Sequence, residues 1–224
     1  MILNEEAPMK LKLYSYWRSS CSYRVRIALY FKGIDFIYMP IHLVKDGGQQ
    51  HHANYLKINP SKTVPTLMHG EVVINQSMSI FHFLDEMWPE PHLFPLDHYE
   101  KAQIMDICEV INSGIQPIQN LGVNQELTQR FNATQEDIAS WNKEFITRGF
   151  NSIEYRLKDC SKDFCFGNTV TAADMFLIPQ VYNALRFEVD MKSYPNIYRI
   201  NENCLQRSEF IKASPDQQPD AQIG

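Results

Sequence analysis

The first readable run of apolar positions is Leu11 to Tyr16 (LKLYSY), which predicts a short β-strand. From Cys21 to Lys32 the apolar positions recur at helical spacing. Val25, Ala28 and Leu29 share one face, and Gly33 stands where a helix C-cap belongs. Phe36 to Ile41 (FIYMPI) is the next predicted strand and completes a βαβ unit. After a polar loop, Thr66 to Met68 and Val72 to Ile74 predict two strands joined at His69-Gly70, and a helix follows from Ser77 to Met87.

The stretch Trp88 to Asp97 (WPEPHLFPLD) holds three of the chain's 12 prolines, so it cannot continue a helix. We read 89–97 as a linker. Beyond it the pattern is helical to near residue 212, and Pro117 inside one such pattern predicts a kink. Thr171 to Asp174 has capping-box spacing, with Val170 and Met175 placed as a hydrophobic staple. The last dozen residues, Ala213 to Gly224, read as a loose tail. The order βαβ then ββα within roughly 80 residues matches a thioredoxin-like domain. The expected fold is an α/β thioredoxin-like domain over 9–88 and an all-α domain over 98–224.

Composition narrows the function. The 224 residues are 44% hydrophobic, with 21 basic and 26 acidic side chains and a net charge of -5. No basic run or Lys/Arg stripe is present, which argues against a nucleic-acid partner. Glu5 and Glu6 lie where a signal peptide would carry positive charge, and no stretch nears the roughly 18–20 apolar residues that span a bilayer. The five cysteines (Cys21, Cys108, Cys160, Cys165, Cys204) are odd in number and lack framework spacing, as expected of reduced thiols in a cytoplasmic protein. The seven histidines match no metal spacing, so no metal site is expected.

The segment Ser19-Ser20-Cys21-Ser22-Tyr23-Arg24-Val25-Arg26-Ile27-Ala28-Leu29 resembles the signature of zeta-class glutathione transferases. So do KDGGQQ (Lys45 to Gln50), NPSKTVPTL (Asn59 to Leu67), NQSMSI (Asn75 to Ile80), GIQPIQNL (Gly114 to Leu121), TAADMFLIPQV (Thr171 to Val181) and NALRFEVD (Asn183 to Asp190). The matches run in order from about Leu11 to Asp220. Tyr23 stands where many members have Trp, and Gly122 where some have Ser.

The resemblance implies glutathione transferase architecture, glutathione as cofactor, a homodimer, and a small dianionic substrate. It implies cis–trans isomerisation of maleylacetoacetate to fumarylacetoacetate, a step of tyrosine and phenylalanine catabolism, with glutathione transferase activity besides. Maleylpyruvate isomerisation and glutathione-dependent dehalogenation of haloacids use the same motifs. A thiol oxidoreductase acting through Cys21 and a non-catalytic binding module are further alternatives. The missing second cysteine argues against the former, and the intact serine–cysteine motif against the latter.

The residue types suit this chemistry. A helix N-terminus near Ser20 offers unpaired N–H groups and partial positive charge, and Ser19 adds a hydroxyl donor for a glutathione thiolate. A thiol of pKa near 8.5 is only about 3% ionised at neutral pH. Roughly 2–3 kcal/mol of such stabilisation would lower that pKa by about two units. The plain alternative is that Ser19 and Ser20 only cap the helix. Cys21 occupies the first position of a C-x-x-C whose second place is Arg24, so it is either a tuner of binding or a single reactive thiol. By resemblance Val64, before a cis Pro65, pairs with the cysteinyl backbone of glutathione, and Gln76 and Ser77 hold its γ-glutamyl carboxylate at a helix start. Gln50 would contact the tripeptide's other end. Gln116 and Asn120, four apart on one expected helix, could add contacts from the helical domain, although a solvated polar face reads as well. Arg18 and Arg186 are candidates for the substrate carboxylates. Arg186 could equally complement a helix C-terminus.

Overall fold

The computed structural model describes residues 10–221; the reading of residues 1–9 and the last three residues of the tail lie outside it. The expected βαβ unit consists of β1 (Leu11–Ser15), α1 (Ser20–Phe31) and β2 (Phe36–Pro40). A one-turn helix, α2 (Ala53–Leu56), interrupts the loop that follows. Next come β3 (Thr66–His69), β4 (Val72–Asn75) and α3 (Ser77–Met87). The sheet order is β2-β1-β3-β4, with β1 parallel to β2 and antiparallel to β3. Leu11, Leu13 and Leu67 are buried in its core.

Gly33 ends α1 as its position predicted. It takes φ +65, its N–H donates to the Tyr30 carbonyl at 3.1 Å, and Ile34 N–H donates to Leu29 at 2.9 Å. That pairing is a Schellman motif. Val25, Ala28 and Leu29 are fully buried, but so are the polar Ser22, Arg24 and Arg26. A single apolar face does not explain a helix buried on nearly every side.

The C-terminal segment does. The chain forms two compact units, one of residues up to Pro91 together with Glu209 onward, the other His92–Ser208. Residues 209–221 thus belong with the first unit rather than with the helical domain drawn to 224. Nor is the described part of the tail loose: Ala213, Pro215 and Gln218 are buried, as is Phe210 just before it. Arg26 Nε donates to the Ala213 carbonyl at 2.9 Å, and Tyr23 OH donates to the Phe210 carbonyl at 3.3 Å. Asp220 accepts from Trp17 N–H at 3.1 Å and from Tyr38 OH at 2.6 Å. Its sequence hid this, because each partner lies more than 180 residues upstream.

The linker is fastened at its start. Buried Lys32 donates to Asp85 at 2.9 Å and to the carbonyls of Trp88 (2.6 Å) and Pro91 (2.7 Å). Leu93 and Phe94 are buried, and Leu93 accepts from Ala172 N–H at 2.8 Å. Asp97 then caps α4 (His98–Glu109) through Tyr99 and Glu100 N–H.

The second unit is all helical. Its other helices are α5 (Leu121–Phe131), α6 (Gln135–Cys160), α7 (Ala172–Arg186) and α8 (Pro195–Cys204); α9 (Ser208–Ala213) leads back into the first unit. The Thr171–Asp174 cap forms as predicted, fully buried, with Asp174 accepting from Thr171 N–H at 2.9 Å and Cys165 N–H at 2.8 Å. Burial raises the Asp174 carboxyl above its ordinary range, against the pull of those donors. Buried Glu154 on α6 caps the N-terminus of α8 through Asn196 and Ile197 N–H, both at 3.0 Å. Pro117 does not kink a helix. α4 passes into a π-helical segment, Val110–Ile115, and Pro117 falls in the turn after it. Pro179 instead lies in the interior of a helix, α7. Among the described residues, no helix is long and apolar enough to cross a membrane.

Candidate active site

Ser19 is the N-cap of α1, with extended backbone (φ -70, ψ 120) and Oγ accepting from Ser22 N–H at 3.2 Å. Capping occupies a lone pair and leaves the hydroxyl hydrogen to be donated elsewhere. The two readings of Ser19 are therefore compatible. Ser20 opens the helix and is buried, while Cys21 and Arg18 are half-buried. The Arg18 guanidinium lies 5.4 Å from the Trp17 ring centroid. Arg24, only 1% exposed, donates from Nη2 to Cys21 Sγ at 3.0 Å. The residue standing where a resolving cysteine would be thus touches the first sulfur instead.

Strand register gathers more residues at this end of the sheet. Tyr14 pairs with Thr66, and Thr66 with Asn75, so the end of β1, the start of β3 and the end of β4 adjoin. Val64-Pro65 is cis, and Val64 is buried with Tyr16 and Tyr55. Gln76 follows β4 with φ +70 and ψ 123, a conformation that a side chain rarely adopts. Such strain persists where the surroundings over-determine it, and it concentrates at functional positions. Ser77, the first residue of α3, is buried beside it.

Gln50 is 6% exposed; its Nε2 donates to the Leu43 carbonyl at 3.1 Å, while Oε1 is buried without a hydrogen-bond partner. Gly48 (φ +95) approaches so closely that a Cβ there would meet the Gln50 amide at 2.6 Å. Leu43 packs on the Tyr16, Tyr55 and Val64 cluster, which places Gln50 at the same end of the sheet. An orphaned buried acceptor costs about 1–3 kcal/mol and is relieved by a donor from a bound molecule. The peptide N–H groups of glutathione are such donors, so these residues fit that cofactor. Trp17 and His42 flank the Tyr16 ring, with centroids at 5.9 and 4.9 Å, and Trp17 Nε1 and His42 Nε2 are also buried without a partner. Neither Trp17 nor His42 stands out in the sequence, where the aromatic run Tyr14, Tyr16, Trp17 is the available signal.

In the second unit, Gln116 and Asn120 do not share a helical face. Gln116 ends the π-helical segment, whereas Asn120 is the N-cap of α5 and accepts from Gly122 N–H at 3.0 Å. Pro117 cannot donate to the ladder, and the chain turns between them. The buried amide here is Gln119, paired with Gln180 at 2.8 and 3.2 Å. Arg186 is the exposed last residue of α7 and donates to Asn183 Oδ1 at 3.2 Å.

A thioredoxin-like unit carrying a serine-capped first helix, followed by an all-helical unit, is the architecture of a glutathione transferase. Residues 9–86 match the family "Glutathione S-transferase, N-terminal domain". The chain is 47% identical over 213 residues to maleylacetoacetate isomerase of Dictyostelium discoideum, covering 95% of this chain and 97% of that one. Among solved structures, maleyl pyruvate isomerase, a bacterial zeta-class enzyme, superposes with a TM-score of 0.91 at 35% identity, over 94% and 100% of the two chains. Maleylacetoacetate isomerase from Anaeromyxobacter dehalogenans 2CP-1, with bound dicarboxyethyl glutathione and citrate, gives 0.85 at 36% identity, over 96% and 94%. The chain belongs to the zeta-class glutathione transferases, the family of the maleylacetoacetate isomerases.

Proposed function

We propose that the chain is a glutathione-dependent cis–trans isomerase that converts maleylacetoacetate to fumarylacetoacetate in tyrosine and phenylalanine catabolism. The observation that carries this reading is Ser19 at the head of α1, its hydroxyl hydrogen not used in capping, within a chain of this family. Bound glutathione supplies a thiol that adds reversibly to the conjugated double bond, allows rotation, and leaves unchanged. The N–H groups and dipole of α1, with Ser19, favour the ionised form of that thiol. Ser20, Cys21, Gln50, Val64, Gln76 and Ser77 hold the tripeptide, with Gln116 and Asn120 adding contacts from the helical unit. Arg18 and Arg186 orient the substrate carboxylates. Dicarboxyethyl glutathione and citrate in the Anaeromyxobacter relative support a dicarboxylate substrate. Maleylpyruvate is the second reading, favoured by the likeness to maleyl pyruvate isomerase.

Turnover of maleylacetoacetate and maleylpyruvate, each with and without glutathione, tests the proposal. Isomerisation is expected to require glutathione and to leave total thiol constant over many turnovers; stoichiometric thiol loss would mean conjugation, and the isomerase reading would fail. We place the enzyme in the cytoplasm, where its five cysteines, none of them in a disulfide, would stay reduced. A homodimer is supported by the apolar Val72, Val73 and Met87, exposed on β4 and α3. Light scattering should give twice the chain mass; a monomer at micromolar concentration would exclude it.

A further inference from the structure

We propose that Asp220 is a positioning residue for this reaction: its carboxylate sets the short loop that places the Ser19 hydroxyl. The inference rests on the isomerase reading above. Only Tyr16, Trp17, Arg18 and Ser19 separate β1 from α1. Tyr16 N–H donates to Ser22 Oγ at 3.5 Å, and the Tyr16 carbonyl accepts from Ser19 N–H at 3.0 Å and Arg26 Nη1 at 3.3 Å. The Trp17 carbonyl accepts from Arg26 Nη2 at 2.9 Å. All of these partners lie on the loop or on α1. The Trp17 N–H is different, because it is held at 3.1 Å by Asp220 Oδ2, 203 residues away.

The clamp is itself held. Asp220 Oδ1 accepts from Tyr38 OH at 2.6 Å, and burial raises the Tyr38 phenol, so it remains a donor well into the alkaline range. The segment leading to Asp220 is fixed by Ala213 on Arg26 and by Gln218 Nε2 on the Lys212 and Ser214 carbonyls, at 2.9 and 2.8 Å. Asp220 and Arg26 therefore grip the two sides of Trp17. Ser19 is two residues on, and turning the Trp17 peptide swings its Oγ. A displacement of about 1 Å in such a group costs on the order of 100-fold in rate.

The test uses the full chain with Asp220→Ala and Asp220→Asn, reading kcat, KM, Tm and the pH titration of the thiolate absorbance of bound glutathione. Asp220→Ala is expected to lower kcat roughly 10- to 100-fold and to move the bound-thiol midpoint upward by about one unit, with KM nearly constant. Asp220→Asn keeps one acceptor for Trp17 and should fall between. Leu84→Val, in the buried core of α3, is the control: it lowers Tm while the bound thiol titrates as in the parent. Parental kcat and titration in Asp220→Ala, whatever its Tm, would overturn the proposal and make the tail a purely structural strap. Should Asp220→Ala not fold, Asp220→Asn and Tyr38→Phe decide it; parental titration in both overturns it, and an upward shift in both supports it. The titration needs no substrate. A parent that binds glutathione but isomerises neither acid removes the isomerase reading, while the titration still judges the Asp220 clamp.

Discussion

Replacing Ser19 with alanine is expected to lower kcat about 10- to 150-fold and to raise the pH midpoint of the bound glutathione thiol by roughly one to two units. The size is that of one charge-assisted hydrogen bond, about 1.5–3 kcal/mol. Ser19 Oγ accepts from Ser22 N–H, so its own hydrogen is available for the cofactor sulfur. Cys21 is the rival. Its sulfur already accepts from Arg24 Nη2 at 3.0 Å, and a thiol is the weaker donor. Cys21→Ala should change KM and keep substantial kcat. Because Ser19→Ala also removes a helix cap, worth about 1 kcal/mol, Ser19→Gly serves as the companion variant: it costs the cap only a few tenths but lacks the hydroxyl just the same. Both Ser19 variants should therefore share the thiol shift. A dead Cys21→Ala beside a near-normal Ser19→Ala would reverse the assignment.

Arg26→Met is expected to cost several kcal/mol of stability, at about 1–3 kcal/mol for each buried acceptor left unpaired, read as a lower urea midpoint at unchanged m and fixed protein concentration. The Arg26 guanidinium is fully buried, which draws its pKa from the usual guanidinium range down to about 10, yet it remains charged at neutral pH. Its fork serves Ser15 Oγ and the carbonyls of Tyr16, Trp17 and Ala213. Methionine fills much of the volume but leaves those acceptors without a donor. Arg26→Lys keeps the charge without the fork and should recover only part of the loss. A shift below about 1 kcal/mol for Arg26→Met would mean that water or a local rearrangement replaces the fork at little cost.

Much of this molecule follows from local rules. The strands, α1 with its Gly33 stop, the Thr171–Asp174 cap and the start of α3 each depend on a few neighbouring residues, so period and capping chemistry reveal them. The candidate site was legible where it rides on those elements: Ser19 and Ser77 sit at helix starts that the sequence announces. The four-residue spacing of Gln116 and Asn120 suggests one helix face, but spacing says nothing of a helix that stops between them.

The sequence by itself determined the strand and helix periods, the turn at Gly33 and the family signature, all of which act over a few residues. Tertiary structure alone decided that Ala213 to Ala221 is an ordered strap, that Arg24 and Arg26 are buried on α1 beside its apolar face, and that Gln50 and Trp17 keep orphaned polar atoms near Tyr16. Those outcomes depend on partners brought together from opposite ends of the chain. A segment such as ASPDQQPD looks solvated until its Ala213 carbonyl meets the buried Arg26 guanidinium and its Asp220 carboxylate meets the Trp17 N–H, because the free energy of burying a polar group is set by the partner it finds rather than by its own type.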